Sequence, residues 1–154
     1  MSKDKIVDRA KIKDIITQQK NEGKRVVFTN GCFDIIHAGH VRYLTEAKKL
    51  GDILVIGLNS DSSVSTIKPG RPIIPEQQRA EVLSALSMVD YITLFNEDTP
   101  YELIKEIKPD ILVKGADWDT KNIVGSDIVK EVRTIPFVEG ISTTEIIKKI
   151  QSKK

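Results

Sequence analysis

Cysteine is almost missing from this chain: Cys32 is the single one in 154 residues. One cysteine cannot form an internal disulfide, and it excludes a zinc site built from several thiolates. We therefore expect a reducing, cytoplasmic setting. Aromatic residues make up 5% of the chain, and there are two histidines. No apolar run approaches the length of a membrane span. The N-terminus from Met1 to Lys13 alternates charges with isolated apolar residues, so no signal peptide is expected. A surplus of one charge sign is missing too, with 24 Lys and Arg against 22 Asp and Glu. Such a balance provides no general field for nucleic acid or a membrane surface, and neither is an expected partner. Lys148, Lys149, Lys153 and Lys154 read as a solvated helix end favoured by the helix dipole.

What is present is ordinary globular material, 40% hydrophobic and 30% charged. The length suffices to bury a core without disulfides or a structural metal. No Ser/Gly-rich linker, low-complexity tract or repeat interrupts it, so residues 1–154 are expected to form one domain.

The hydrophobic pattern predicts alternating strands and helices. Ile12, Ile15 and Ile16 follow helical spacing up to Asn21-Glu22-Gly23, and Arg25 to Thr29 reads as a short buried strand. Val41, Leu44 and Ala47 lie near one helical face that closes at Leu50-Gly51. Asp52 to Asn59 is a continuous apolar run, typical of a strand covered on both faces. Ser60 to Pro75, with three prolines and a glycine, reads as a long loop, and long loops in compact domains are often functional. Pro75 opens a helix carrying Val82, Leu83, Leu86 and Val89, followed by a strand from Tyr91 to Phe95. Thr99-Pro100-Tyr101-Glu102 reads as a capping box for a helix ending before Pro109. Asp110 to Lys114 is a fourth strand, Thr134 to Val138 a fifth at the edge because of Pro136, and Ser142 to Ile150 a last helix. The expected fold is α/β, a Rossmann-like doubly wound parallel sheet of about five strands. Ligands in such sheets sit beyond the carboxyl ends of the strands, at the switch point. The residues after strands one, two and four are thus the first place to look.

After strand one runs Thr29-Asn30-Gly31-Cys32-Phe33-Asp34-Ile35-Ile36-His37-Ala38-Gly39-His40. It holds both histidines, three residues apart, at the start of a helix. Helix N-termini present free N–H groups and a positive dipole end to anions. Gly31 and Gly39 allow close backbone approach. The combination points to a phosphate site with two imidazoles as extra donors. No Gly-Lys-Ser/Thr follows, so it is not a P-loop, and it is not the Gly-x-Gly-x-x-Gly fingerprint either. A metal reading needs a third ligand besides the two histidines; Asp34 could supply one, but a zinc site is not expected without more histidine or cysteine.

Residues 31–40 resemble the G-x-F-D-x-x-H-x-G-H signature of the cytidylyltransferase-like nucleotidyltransferases. Gly140-Ile141-Ser142-Thr143-Thr144 resembles their second signature, in family order. Ile35 replaces the proline found in the pantetheine-phosphate and nicotinate-mononucleotide adenylyltransferases. From Phe28 to Ile150 the chain most resembles the D-glycero-D-manno-heptose 1-phosphate adenylyltransferases, many of which are fused to a sugar kinase, and a stand-alone version is expected here. Supporting stretches are Leu58-Asn59-Ser60-Asp61, Gly70 to Pro75, Glu97 to Pro100 and Lys108 to Gly115. Glycerol-phosphate cytidylyltransferases are the nearest rival. They share both signatures and an Asp-Trp like Asp117-Trp118, but carry an arginine where Phe137 stands.

The resemblance implies transfer of AMP from ATP to a sugar 1-phosphate, giving ADP-heptose for lipopolysaccharide core synthesis. A CTP-dependent transfer to an alcohol phosphate and a non-catalytic nucleotide-binding module stand as alternatives. ATP as substrate, Mg2+ and a homodimer are implied with it. His37 and His40 would donate to the triphosphate, with Lys68 closing on it as a mobile cation. The nucleotide would also meet Thr29, Asn30, Gly31, Cys32, Phe33, Gly39, Arg79, Lys114, Gly115, Ser142, Thr143 and Thr144. Asp34, Asn59, Asp61, Arg71, Asp117 and Trp118 are the candidates for the acceptor. Asp34 reads equally as a helix cap, and Ser142-Thr143-Thr144-Glu145 is itself a capping box.

Overall fold

The computed structural model describes residues 2–116, 122–136 and 141–153. After a short 3-10 turn, helix α1 (Arg9–Asn21) leads into strand β1 (Val26–Gly31) and helix α2 (Ala38–Lys48). Strand β2 (Ile53–Asn59) is followed by helices α3 (Asp61–Ile67) and α4 (Glu76–Ser84). Then come β3 (Tyr91–Phe95), α5 (Tyr101–Ile107), β4 (Ile111–Gly115), β5 (Glu131–Ile135) and α6 (Thr143–Ser152).

The five strands form one parallel sheet in the order β3-β2-β1-β4-β5. Alternate side chains of each strand enter two separate cores. Val27, Leu54, Ile56, Leu58, Ile111 and Val113 pack with Leu44 and Ala47 of α2 and Ala80 and Leu83 of α4. Val26, Phe28, Val55, Phe95 and Leu112 pack with Ile12 and Ile16 of α1 and Leu103, Ile104 and Ile107 of α5. Burial at every position of β2 therefore reflects helices on both faces, as the unbroken run predicted. Gly57 sits where a Cβ would come within 2.7 Å of the Phe28 ring, so the missing side chain lets Phe28 and α5 close on the sheet.

Several expectations are corrected. Ser60 to Pro75 is not all loop. Ser60 caps α3, its hydroxyl accepting from Ser63 N, and Val64 is buried beneath that turn. A helix with one apolar anchor leaves no periodicity to read. The expected Thr99 cap fails because Pro100, at φ −83° and ψ 12°, takes the cap position without a side-chain bond. Thr99 stands one residue too early. The fifth strand begins earlier than expected, pairing Glu131 with Ile111 and Ile135 with Gly115, so Pro136 falls just past it. It lies at the sheet edge, as expected, with Glu131 bridging Arg25 and Arg133 on the exposed side. The helix from Pro75 ends at Ser84, while Leu86 and Val89 pack into the core from the turn that follows.

Candidate active site

The strand order reverses between β1 and β4, since β2 and β3 lie to one side and β5 to the other. A cavity of about 650 Å³ opens at that switch point. Asn30 and Gly31 bring the end of β1 to its wall, Lys114 the end of β4, and Pro136 the residue after β5. The N-termini of α2 and α6 both face it, through His37, Gly39 and His40, and through Ser142, Thr143 and Thr144.

The two rings are held in a defined protonation pattern. His37 is the cap of α2, and its Nδ1 accepts from Gly39 N at 3.1 Å. His40 Nδ1 accepts from His37 N at 3.2 Å. A nitrogen that accepts carries no proton, so each neutral ring bears its hydrogen on Nε2. The ring centroids lie 3.9 Å apart, and Phe33 packs against His40 at 5.3 Å. Burial pushes the His37 imidazole below its ordinary value. Burial, then the neighbouring His37 and Lys68, pushes His40 down to about 4. At neutral pH both rings are therefore uncharged donors. Gly39 is required by this arrangement, because a Cβ there would lie 2.8 Å from His37 Cε1.

Phe33 adopts φ +46°, a left-handed conformation that is uncommon for a bulky side chain. Such strain persists only where the surroundings over-determine it. Here the ring is buried in the core, while the following carboxylate is locked in place. Asp34 accepts from Arg71 Nε at 2.6 Å and from the backbone N–H groups of Ile73 and Ile74. Burial alone would raise its pKa, but the hydrogen bonds from Ile73, Ile74 and Arg71 outweigh that and hold it below the usual carboxylate range.

Of the residues expected at the site, Asn30, Gly31, Cys32, Phe33, Asp34, His37, Gly39, His40, Lys68, Arg71, Lys114, Ser142, Thr143 and Thr144 all line the cavity. Others do not reach it. Thr29 is buried, its hydroxyl donating to Val113 O at 3.0 Å and meeting Tyr43 Oη at 2.8 Å. Asn59 is buried and donates to Ser63 Oγ. Asp61 pairs with Arg79 outside the cavity lining, and Gly115 ends β4 outside it as well. Arg79, read as a phosphate contact, is fully buried instead, donating to three backbone carbonyls and to Asp61. Thr143 gives its hydroxyl proton to Ile35 O at 3.2 Å, which ties α6 to the first signature. Ser142 caps α6 by accepting from Glu145 N, as the S-x-x-E pattern implied. Asp117, Trp118 and Gly140 lie outside the described residues.

Sequence reasoning missed Tyr43, Pro136 and Ile141, which also line the cavity. Tyr43 was within reach, because 37, 40 and 43 follow i, i+3, i+6 spacing along one file of α2. Pro136 and Ile141 carry no such signal.

The donor set does not fit a metal held by protein ligands. No group of three or more His, Cys, Asp or Glu suited to a metal occurs among the described residues. The cavity's carboxylate, Asp34, is already engaged by Arg71, Ile73 and Ile74. What the walls offer is positive charge and N–H and O–H groups, an arrangement suited to a polyphosphate.

Residues 28–149 match the cytidylyltransferase-like family model. The chain belongs to the cytidylyltransferase-like family. It is thereby a nucleotidyltransferase domain. Curated relatives include the bifunctional protein HldE of Campylobacter concisus, 63% identical over 140 residues, covering 90% of this chain and 29% of that protein. The bifunctional protein HldE of Wolinella succinogenes is 55% identical over 151 residues, covering 97% of this chain and 32% of that protein. The chain thus spans about a third of the length of the curated relatives it matches. Among solved structures, a lipopolysaccharide core biosynthesis protein from Thermoplasma volcanium aligns with a TM-score of 0.65 at 37% identity, covering 73% of this chain and 98% of that one. The pantoate-beta-alanine ligase of Francisella tularensis aligns at 0.63 over 95% of this chain and 76% of that one. Its 14% identity speaks to the fold alone. No helix among the described residues is long and apolar enough to cross a membrane.

Proposed function

We propose that this domain transfers AMP from ATP to D-glycero-D-manno-heptose 1-phosphate, releasing pyrophosphate and forming ADP-heptose for the lipopolysaccharide core. The observation that carries the reading is the pair of neutral imidazoles at the start of α2, each with its proton on Nε2, in a cavity walled by Lys68, Arg71 and Lys114. The name of the similar Thermoplasma volcanium protein, a lipopolysaccharide core biosynthesis protein, supports the pathway, and the resemblance of Phe28 to Ile150 to the heptose 1-phosphate adenylyltransferases supports the sugar.

In this reading a phosphate oxygen of the acceptor attacks the α-phosphorus of ATP, and the bond to the pyrophosphate oxygen breaks. The nucleophile belongs to the substrate, so no serine or cysteine of the chain needs activation. The protein orients the two phosphates and neutralises charge as it builds on the phosphate oxygens. His37 and His40 donate from Nε2 without needing protonation. Lys68 adds full positive charge, and the N-terminus of α6 adds its dipole. Magnesium accompanies the nucleotide in this reading, held by phosphates and water, because the described residues offer no carboxylate set for it. We carry the homodimer as part of the same proposal, to be checked by sedimentation.

The test is pyrophosphate release from one nucleoside triphosphate at a time, with magnesium and a panel of sugar and polyol phosphates. ATP with the heptose 1-phosphate is expected to give the highest kcat/KM. If CTP with glycerol 3-phosphate wins, the cytidylyl reading replaces this one. If ATP binds and no acceptor turns over, the domain is a nucleotide-binding module.

A further inference from the structure

The segment from Lys68 to Pro75 carries two of the cavity's cations, Lys68 and Arg71, yet it has few means of holding its shape. Pro69, Pro72 and Pro75 have no N–H to give. Of the remaining N–H groups, Lys68 N donates to Val64 O at the end of α3 and Arg71 N donates within the segment to Lys68 O, while Ile73 N and Ile74 N both go to a single carboxylate, Asp34. No strand pairing crosses these residues.

A second buried ion grips the same segment from the other side. Arg79 donates Nε to Ile74 O at 2.8 Å. One Nη donates to Cys32 O at 2.6 Å and to Asn59 O at 2.8 Å, and the other to Asp61 Oδ1 at 2.9 Å. The guanidinium thereby joins the first signature, the end of β2 and the cationic segment. Ile74 is held by its N–H to Asp34 and by its carbonyl to Arg79. The Asp34 and Arg79 side chains have no solvent exposure, against 43% for the Asp61 carboxylate and 13% for Arg71. Every nitrogen of the Arg79 guanidinium and both oxygens of the Asp34 carboxylate already have protein partners, and neither side chain is exposed to a substrate. Their bonds converge instead on one residue of the segment that carries the cations.

We propose that Asp34 and Arg79 are positioning residues, a pair of opposed clamps on Ile74 that hold Lys68 and Arg71 over the cavity, and that neither is a ligand for nucleotide or acceptor. The proposal rests on the transferase reading above and deepens it. Its consequence is specific. Arginine is required at 79 for its planar fork and not for its charge alone, because one ammonium cannot serve three carbonyls and a carboxylate arranged around it. The two clamps are also coupled, since loosening either frees the same residue.

The test pairs amide exchange with nucleotide affinity. In Arg79→Lys, exchange at Ile73 and Ile74 is expected to rise roughly tenfold or more, the size expected for unpairing a buried hydrogen-bonded group. Phe28 and Val55 in the sheet keep their protection. The affinity for ATP, read by calorimetry, is expected to fall by a similar factor, and kcat/KM for ATP with it. Asp34→Asn is expected to behave alike, and the double variant to lose less than the product of the two single losses. Unchanged exchange at Ile74, an equal rise throughout the sheet, unchanged ATP affinity, or fully multiplicative losses would each overturn the proposal. Should Arg79→Lys fail to fold, Asp61→Ala decides, because it removes only the guanidinium's carboxylate partner and leaves no acceptor in its place. A smaller rise at Ile74 supports the clamp, and no rise overturns it. Failure of the transferase reading shows differently, as wild-type protein that releases no pyrophosphate with any pair while the exchange and affinity measurements still report on the clamp.

Discussion

At His37 and His40 one nitrogen of each ring is committed to the backbone, and the other is thereby committed to donate. His37 has two separable duties, capping α2 and presenting Nε2–H. In His37→Asn the side-chain oxygen can replace the cap, so thermal stability is expected to stay close to wild type while turnover falls by about 10²–10³, the usual loss for a removed donor of this kind. His37→Ala is expected to lose the turnover and about 1 kcal/mol of stability as well. Thermal melts beside pyrophosphate assays separate the two. Nitrogen shifts of the rings at pH 7 are expected to show a bare Nδ1 and a protonated Nε2 on both residues. A protonated Nδ1 on either ring would contradict the cap. The signature singled out the two histidines. Which nitrogen carries the proton was not legible, because it depends on where the N–H groups of His37 and Gly39 fall once the helix begins.

An element as short as α3 shows where pattern reading stops. Seven residues with Val64 as the buried apolar anchor have no repeat, and tertiary packing under Ser60 and Ser63 makes the helix. The edge strand β5 was misplaced for a related reason. Its bounds follow from pairing with β4, and the sequence shows the alternating Glu131-Val132-Arg133 without showing the partner. By contrast β1, β2 and the start of α2 were legible, because burial on both faces and a cap at the helix start each leave a local signal. At α2 the element and the site are the same object. In Gly39→Ala the added methyl would stand 2.8 Å from Cε1 of His37, so the ring is expected to shift and kcat and thermal stability to fall together, read by assay and by thermal melt. Gly57→Ala lies outside the cavity lining, against the Phe28 ring. It is expected to cost about 1–3 kcal/mol through overpacking while the folded fraction keeps its turnover, measured by urea unfolding and by assay below the transition.

Across the whole molecule the buried ionisable groups set the response to acid. His37 and His40 have folded pKa values below the ordinary 6.5, with His40 near 4, so the unfolded chain takes up their protons first as pH falls. Stability is therefore expected to be level above about pH 6.5 and to decline from there toward pH 4. Asp34, held below 3.8, adds a second decline as pH falls from that value through its folded pKa. Urea titrations across pH 3–8 check both, and His40→Asn is expected to reduce the first decline. The amino-acid sequence by itself determined the alternation of strands and helices, the parallel two-faced sheet and the stretch that lines the cavity, because periodic burial and a helix cap are local properties of the chain. Only the tertiary structure decided that Arg79 and Asp34 turn inward, that Tyr43 and Pro136 join the cavity wall, and that both imidazoles stay neutral. Those outcomes depend on which carbonyls, N–H groups and charges distant segments bring within about 3 Å of one another, and no spacing along the chain encodes that distance.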